Sequence, residues 1–361
     1  MALVGVPLFI NGLGRIFSDL LSGVLATYMS SGLLLIVAVA VALVGSLFGI
    51  VFRDVMPFFL GIWAVLGFSE AMFGLCIRKI TFDQSPPDQQ GKAQGQVAAA
   101  LGIGFTLGPA LGGWVGSRWG ADVLFIVYAA PQALALAVFL LAGSHRVGRP
   151  AVAGSEAVWR EGRRLLGRPS FLAACLGIFQ TFLFLVGVTR VAFPFLAVSR
   201  RGLSLDVVGT MVGLSRLADT LGRFIGGWLS DLAGSRRVIL FGVLLTVPMF
   251  VLQVYGSSLL TLFLPLSFMT LGFGFTNVGG VTCALQTAGG AAKGLGLGLA
   301  RASNSMGSML GPLLAGVLIQ DLDFENGFFA MAGISLAIFI VIWHAFRRDE
   351  KDPHKLSAFG A

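Results

Sequence analysis

The sequence predicts an all-α membrane protein made of two pseudo-symmetric helical bundles, and three observations carry that prediction. The first is composition: 56% of the residues are hydrophobic and 12% charged, with a mean hydropathy of +0.88. A soluble domain carries roughly 25% charged residues. The second is pattern. Apolar stretches of about 20 residues, the length that crosses a bilayer, recur along the whole chain. The ten-residue alternation of an outer-membrane barrel strand is missing. The third is an internal repeat. GFTLGPALGG at 104–113 is nearly copied by GSMLGPLLAG at 307–316, each reading G-x-x-x-G-P-x-x-[GA]-G, and Pro109 and Pro312 stand 203 residues apart. A repeat of that period means two halves built alike.

Eleven spanning helices follow in order: 2–28, 32–52, 56–77, 95–117, 123–142, 170–198, 205–229, 238–254, 259–285, 297–320 and 326–346. Each is apolar over its length and is bounded by polar or glycine-rich residues. No basic lead precedes the apolar residues from Met1 to Ile10, so this stretch reads as part of a span rather than a cleavable signal. One polar break, 146–169, separates a bundle of five helices (1–145) from a bundle of six (170–346). That break is basic. It carries Trp159, Leu165 and Leu166 at spacings that fit a short interfacial helix. A charged tail, 347–361, ends the chain.

Basic residues orient the bundle. One set of connections, with the tail, carries 16 of them, from Arg78, Lys79 and Lys92 through the central linker to Arg347, Arg348, Lys351 and Lys355; the other carries Arg53, Arg118, Arg200 and Arg201. By the positive-inside rule the linker and the C-terminus are cytoplasmic, and the site of residence is the plasma membrane. The net charge of +8 is thereby explained by topology, with no nucleic-acid partner. Cys76, Cys175 and Cys283 are scattered through apolar segments and make neither a disulfide framework nor a metal site.

Two motifs carry more than topology. In the repeated Gly-Pro motif, Gly104, Gly108, Gly112 and Gly113, and again Gly307, Gly311 and Gly316, lie at spacings that present a small-residue face to a neighbouring helix. Pro109 and Pro312 bend their helices, which a membrane bundle tolerates. The second motif is G-x-L-x-D-x-x-G-x-R-R, standing here as Gly227, Leu229, Asp231, Gly234, Arg236 and Arg237. Together they make the chain resemble the major facilitator superfamily, two six-helix halves joined by a cytoplasmic loop. The Gly-Pro motif resembles the signature of its drug–proton antiporter branch.

The resemblance covers the chain apart from linker and tail. It implies alternating access around a mid-membrane site, small-molecule transport and proton coupling. It also implies that Asp231 meets the N-terminus of a helix in the other half and forms a cytoplasmic latch. An acid at the end of its own helix is disfavoured by the macrodipole and needs such compensation. For Arg236 and Arg237 plain topology signalling serves as well.

The first half departs from the pattern. Gly23 corresponds to Gly227 at an offset of 204, but Thr27 stands where the acid belongs and no basic residues follow. The same offset puts a counterpart of the helix at 170–198 ahead of Met1. The family pattern of twelve helices is therefore expected to be short of its first, with the N-terminus outside.

Charges inside a span are costly and are functional candidates by default. Arg15 and Asp19, and Asp219 and Arg223, are four apart at repeat-equivalent positions with the signs exchanged. That spacing predicts a self-neutralising pair in each half. Glu70, Arg190 and Arg216 have no partner at helical spacing. Glu70 is the candidate proton-coupling group unless Arg190 or Arg216 reaches it. Arg190, with Gln180 and Thr181 on its helix, and Asn277 are candidates to line the substrate path; cross-helix packing is the alternative for each. No nucleophile–base cluster, metal-ligand spacing or phosphate loop argues for an enzyme, and no cofactor is called for. The reading is a secondary transporter, exporting a small molecule by proton antiport. An inactive remnant or membrane scaffold, and an uptake or facilitative transporter of the same fold, are the alternatives left open.

Overall fold

The structure, a computed structural model, describes residues 2–52, 55–143, 147–148, 155–288 and 293–350. Among the described residues the protein is helical without strands. Its helices are α1 (Ala2–Tyr28), α2 (Ser31–Phe52), α3 (Met56–Gln84), α4 (Gln90–Leu141), α5 (Ser155–Leu166), α6 (Pro169–Arg200), α7 (Leu205–Ala233), α8 (Ser235–Tyr255), α9 (Leu259–Thr287) and α10 (Lys293–Glu350). Every predicted span is helical. Two pairs of spans run on as single elements.

In α4 the helix passes straight through 118–122, a stretch with one glycine and no proline; a mid-helix glycine costs only about 1 kcal/mol. In α10 the backbone does break, at Asp323 with φ 65° and ψ 171°. That break falls between the predicted spans 297–320 and 326–346. Seven helices among the described residues are long and apolar enough to cross a membrane. The charged middle of α7, with Arg216, Asp219 and Arg223, keeps it out of that set.

Local chemistry sets several helix ends. Ser258 and Thr261 form a reciprocal capping box at the start of α9, satisfying two backbone donors that would otherwise be orphaned. Gly234 ends α7 at φ 89°, a conformation that a side chain would strain, and α8 starts at the next residue. The linker helix α5 was expected from Trp159, Leu165 and Leu166. Leu165 is buried, and Arg163 and Arg164 occupy the last turn.

The chain forms two compact units interleaved in sequence. One holds 1–84, 104–162 and 289–305; the other holds 85–103, 163–288 and 306–361. Each therefore takes in residues from both sides of the linker, because α4 and α10 each contribute one end to either unit.

In the first unit α3 packs against both α1 and α2. The contact with α1 is close: a Cβ at Gly14 would strike the Ala64 carbonyl, and one at Gly67 would strike Asn11. In the second unit α9 is central, packed on α6, α7 and α8, and it is buried almost continuously from Met269 to Leu285. Phe171, Phe184, Phe193, Phe250, Phe273 and Phe328 are fully buried there. Large apolar side chains such as Val51, Phe58, Leu141, Leu221 and Val341 are exposed, as surfaces facing lipid require.

Candidate functional site

In the first unit four charged residues form two ion pairs between helices. Arg15 Nη1 lies 3.2 Å from Glu70 Oε1. Asp19 is fully buried. It accepts hydrogen bonds from Arg301 Nε at 2.8 Å and Ser305 Oγ at 2.7 Å, one on each carboxylate oxygen. The expected pairing of Arg15 with Asp19 along α1 is thus replaced by pairing across helices. The reason is geometric. Asp19 turns inward to α10, where Gly74 clears the space: a Cβ at Gly74 would stand 2.7 Å from the Arg301 guanidinium. Arg15 faces α3 and takes Glu70. Neither Arg190 nor Arg216, the partners anticipated for Glu70, is the one it has. Glu70 stays 38% exposed, so its carboxylate is paired but reachable.

The second unit keeps the pairing that the spacing predicts. Arg223 donates to Asp219 through Nε and Nη2 at 3.0 and 2.9 Å, with both side chains nearly fully buried. Arg216 Nη2 donates to Thr189 Oγ1 at 3.0 Å. Arg190 is exposed and makes no hydrogen bond or ion pair among the described residues. Thr189 and Arg190 sit in a π-helical turn, Val188–Ala192. Pro194 follows it and offers no N–H to the carbonyl of Arg190. Insertions of this kind recur at functional sites. Gln180 donates to Ser335 at 2.7 Å. Its Oε1, Thr181 Oγ1 and Asn277 Oδ1 are buried without a hydrogen-bond partner.

Asp231 Oδ1 and Oδ2 accept the backbone N–H groups of Gly91 and Lys92, each at 2.6 Å. The acid at the end of α7 is thereby held at the N-terminus of α4, where helix dipole and free donors both favour a carboxylate. Three glycines bring these helices together: a Cβ at Gly227 would strike the backbone of Gly91 and Gly95. Arg236 is not a bare topology signal. Its Nη2 lies 2.6 Å from Asp349, and its guanidinium stands 5.7 Å over the Phe346 ring. Arg237 is exposed.

At the matching place in the first unit, Gly23 crosses Gly294 and Gly298 in the same manner. Thr27 spends its hydroxyl on the Val24 carbonyl, at 2.6 Å. Asp83, from the end of α3, instead bridges Lys79 at 3.0 Å and Lys293 at 3.1 Å.

The two copies of the Gly-Pro motif differ. Gly307 and Gly311 press on the α6 backbone, where a Cβ would strike Phe179, Leu183 and Gly187; Gly316 faces open space. A Cβ at Gly104 or Gly108 would meet nothing within 4 Å among the described residues, so the close helix approach expected at these two glycines is not seen among them. The side chains of Pro109, Gly112 and Gly113 lie outside the described residues.

Sequence reasoning missed Arg301, Ser305, Asp83 and Thr189. Arg301 carried the same signal as the arginines it did single out: a basic residue inside the predicted span 297–320. Ser305 and Thr189 are ordinary polar residues whose partners lie on distant helices, and Asp83 pairs both with Lys79 on its own helix and with Lys293 on α10.

Known proteins share this architecture. The human organic anion transporter MFSD10 (TETRAN) superposes with a TM-score of 0.71 at 19% identity, over 92% of this chain and 83% of that one. The E. coli fucose:proton symporter FucP superposes with a TM-score of 0.76 at 13% identity, over 94% and 90%. In sequence, a multi-drug resistance efflux pump PmrA homolog of Lactococcus lactis subsp. lactis (strain IL1403) is 24% identical over 371 residues, covering 94% of this chain and 88% of that protein. The family model described as the Major Facilitator Superfamily matches twice, over 1–198 and over 182–361, in step with the repeat that relates Gly23 to Gly227 and Pro109 to Pro312. This integral, multi-pass membrane protein belongs to the Major Facilitator Superfamily.

Proposed function

We propose that this membrane transporter is a secondary exporter that moves a small molecule by alternating access and couples it to protons. The two sequence halves, 1–145 and 170–346, are its two repeats, the stretch 146–169 and the tail 347–361 are cytoplasmic, and the protein resides in the plasma membrane. The observation that carries the proton-coupling reading is Glu70. It is a carboxylate within a spanning helix, 38% exposed, with one arginine at 3.2 Å. A pair of that kind can open when either member is neutralised, by a proton on Glu70 or by substrate drawing Arg15 away. Asp19 and Asp219 are poorer candidates, because each is buried with both oxygens engaged. The similarity to the Lactococcus efflux pump homolog supports the outward direction.

The test is Glu70→Gln in proteoliposomes. The expected result is loss of transport driven by a pH gradient, with substrate exchange at equal pH on both sides retained. Gradient-driven transport at the wild-type rate by a stable Glu70→Gln protein would remove Glu70 from the coupling mechanism. Loss of expression or of thermal stability would make the Arg15–Glu70 pair structural.

A further inference from the structure

The charged residues in the middle of the two units do not balance alike. In the first unit Arg15 and Arg301 each meet an acid, Glu70 and Asp19. In the second unit Arg190, Arg216 and Arg223 are served by Asp219 alone, and Arg223 takes both of its oxygens. No other acid stands between Asp206 and Asp231 on α7, and α6, α8 and α9 contain none. Arg216 is close enough to Arg190, Asp219 and Arg223 for their charges to interact. Among the described residues the one hydrogen-bond partner of its guanidinium is the neutral hydroxyl of Thr189. Arg190 has none and is exposed. Among the described residues, two guanidinium groups in the middle of these helices are therefore left without counter-charge.

A cation at that depth facing lipid would be strongly unfavourable, so these two face a watery route or a partner of opposite charge. The π turn at Val188–Ala192 sets Thr189 toward α7 and leaves its neighbour Arg190 open.

We infer that Arg190 and Arg216 form the binding site for an anionic group on the transported molecule, a carboxylate, sulfonate or phosphate, making the substrate class an organic anion. The inference rests on the transporter reading. Guanidinium groups suit such ligands because their planar donor fork matches the oxygens of these groups. Asp219 sets the specificity by keeping Arg223 engaged, so that the charge on offer comes from Arg190 and Arg216. A lipophilic cation is disfavoured at this site by the same two charges.

The test compares ligands of one shape and different charge. Benzoate, benzenesulfonate and phenyl phosphate are titrated against phenyltrimethylammonium on the purified full chain in detergent, with thermal stabilisation as the readout. At least one of the three anions is expected to raise the unfolding temperature saturably, and the cation is expected to leave it unchanged. Arg190→Gln should raise the half-saturating concentration of that anion by about tenfold or more, the loss of one charged hydrogen bond. Arg190→Lys should recover part of the affinity, and Arg348→Gln, at the exposed end of α10, should leave it unaltered. Stabilisation by the cation, by none of the anions, or to the same extent in Arg190→Gln overturns the inference. Flux of ethidium and of carboxyfluorescein in proteoliposomes is scored separately. Movement of neither dye would count against the transporter reading, while the ligand titration alone decides the anion site.

Discussion

Asp19 and Arg223 occupy equivalent places in the repeat, yet each solves the problem of a buried charge differently. Arg223 finds its acid four residues away on the same helix. Asp19 finds its base 282 residues away. The first solution was legible in the sequence because i, i+4 neighbours share a helix face. The second was not, since no local rule connects α1 with the start of α10. The exchange also leaves Arg15 for Glu70, which in sequence looked unpartnered. The buried pair should matter most for stability. Asp19→Asn preserves shape but leaves Arg301 as a buried charge, and removing one partner of such a pair costs about 3–5 kcal/mol. Thermal unfolding in detergent should show a large drop for Asp19→Asn and a smaller one for Arg15→Gln, whose partner is 38% exposed. Equal stability of Asp19→Asn and wild type would mean that water or lipid headgroups reach Arg301.

Helix existence was readable throughout, because a span needs only length and apolar content. Helix continuity was not. The same short polar interruption reads as a loop at 118–122 and at 321–325, but only the second contains a backbone break, at Asp323. The small-residue faces were readable as faces and not as contacts. Gly307 and Gly311 touch the α6 backbone, while Gly104 and Gly108, in the near-identical motif, touch nothing within 4 Å among the described residues. A motif states what a helix can pack against and leaves the neighbour unspecified. Gly311→Leu should therefore prevent the close approach of α6 and α10 and abolish folded protein in detergent. Gly316→Leu, at a position with open space around it, should leave the yield of monodisperse protein near wild type. Similar yields for the two variants would show that α6 and α10 can separate without loss of the fold.

At the scale of the whole molecule the repeat is symmetric in its glycine crossings and asymmetric in its charges. Gly227 against Gly91 and Gly95, and Gly23 against Gly294 and Gly298, are the same crossing made twice, each joining residues from the two sequence halves. In the second unit that crossing is sealed by a carboxylate on two backbone donors at the start of α4. In the first, Thr27 makes no such bond, and Asp83 reaches Lys293 through a half-exposed side-chain pair. The two seals differ in kind. A buried or half-buried carboxylate on helix N–H groups is held by dipole and hydrogen bonds together. A pair of exposed side chains is worth about 0–1 kcal/mol and weakens with salt.

If alternating access parts both crossings, the seal at Asp231 is the stronger of the two and sets the resting population. Asp231→Asn leaves an amide whose oxygen can accept only part of what the carboxylate did, while its nitrogen faces the Lys92 donor. A single cysteine placed at Ala93 in a cysteine-free background reports the crossing. Its labelling rate by a water-soluble maleimide should rise several-fold in Asp231→Asn and change little in Asp83→Asn. Raising salt from 0.1 M to 1 M, which shortens the screening length from about 10 Å to about 3 Å, should affect labelling of a cysteine at Leu295 more than at Ala93. Equal labelling of Asp231→Asn and its parent at matched fold stability would show that the glycine crossing, without its acid, is enough to keep the α4 end closed.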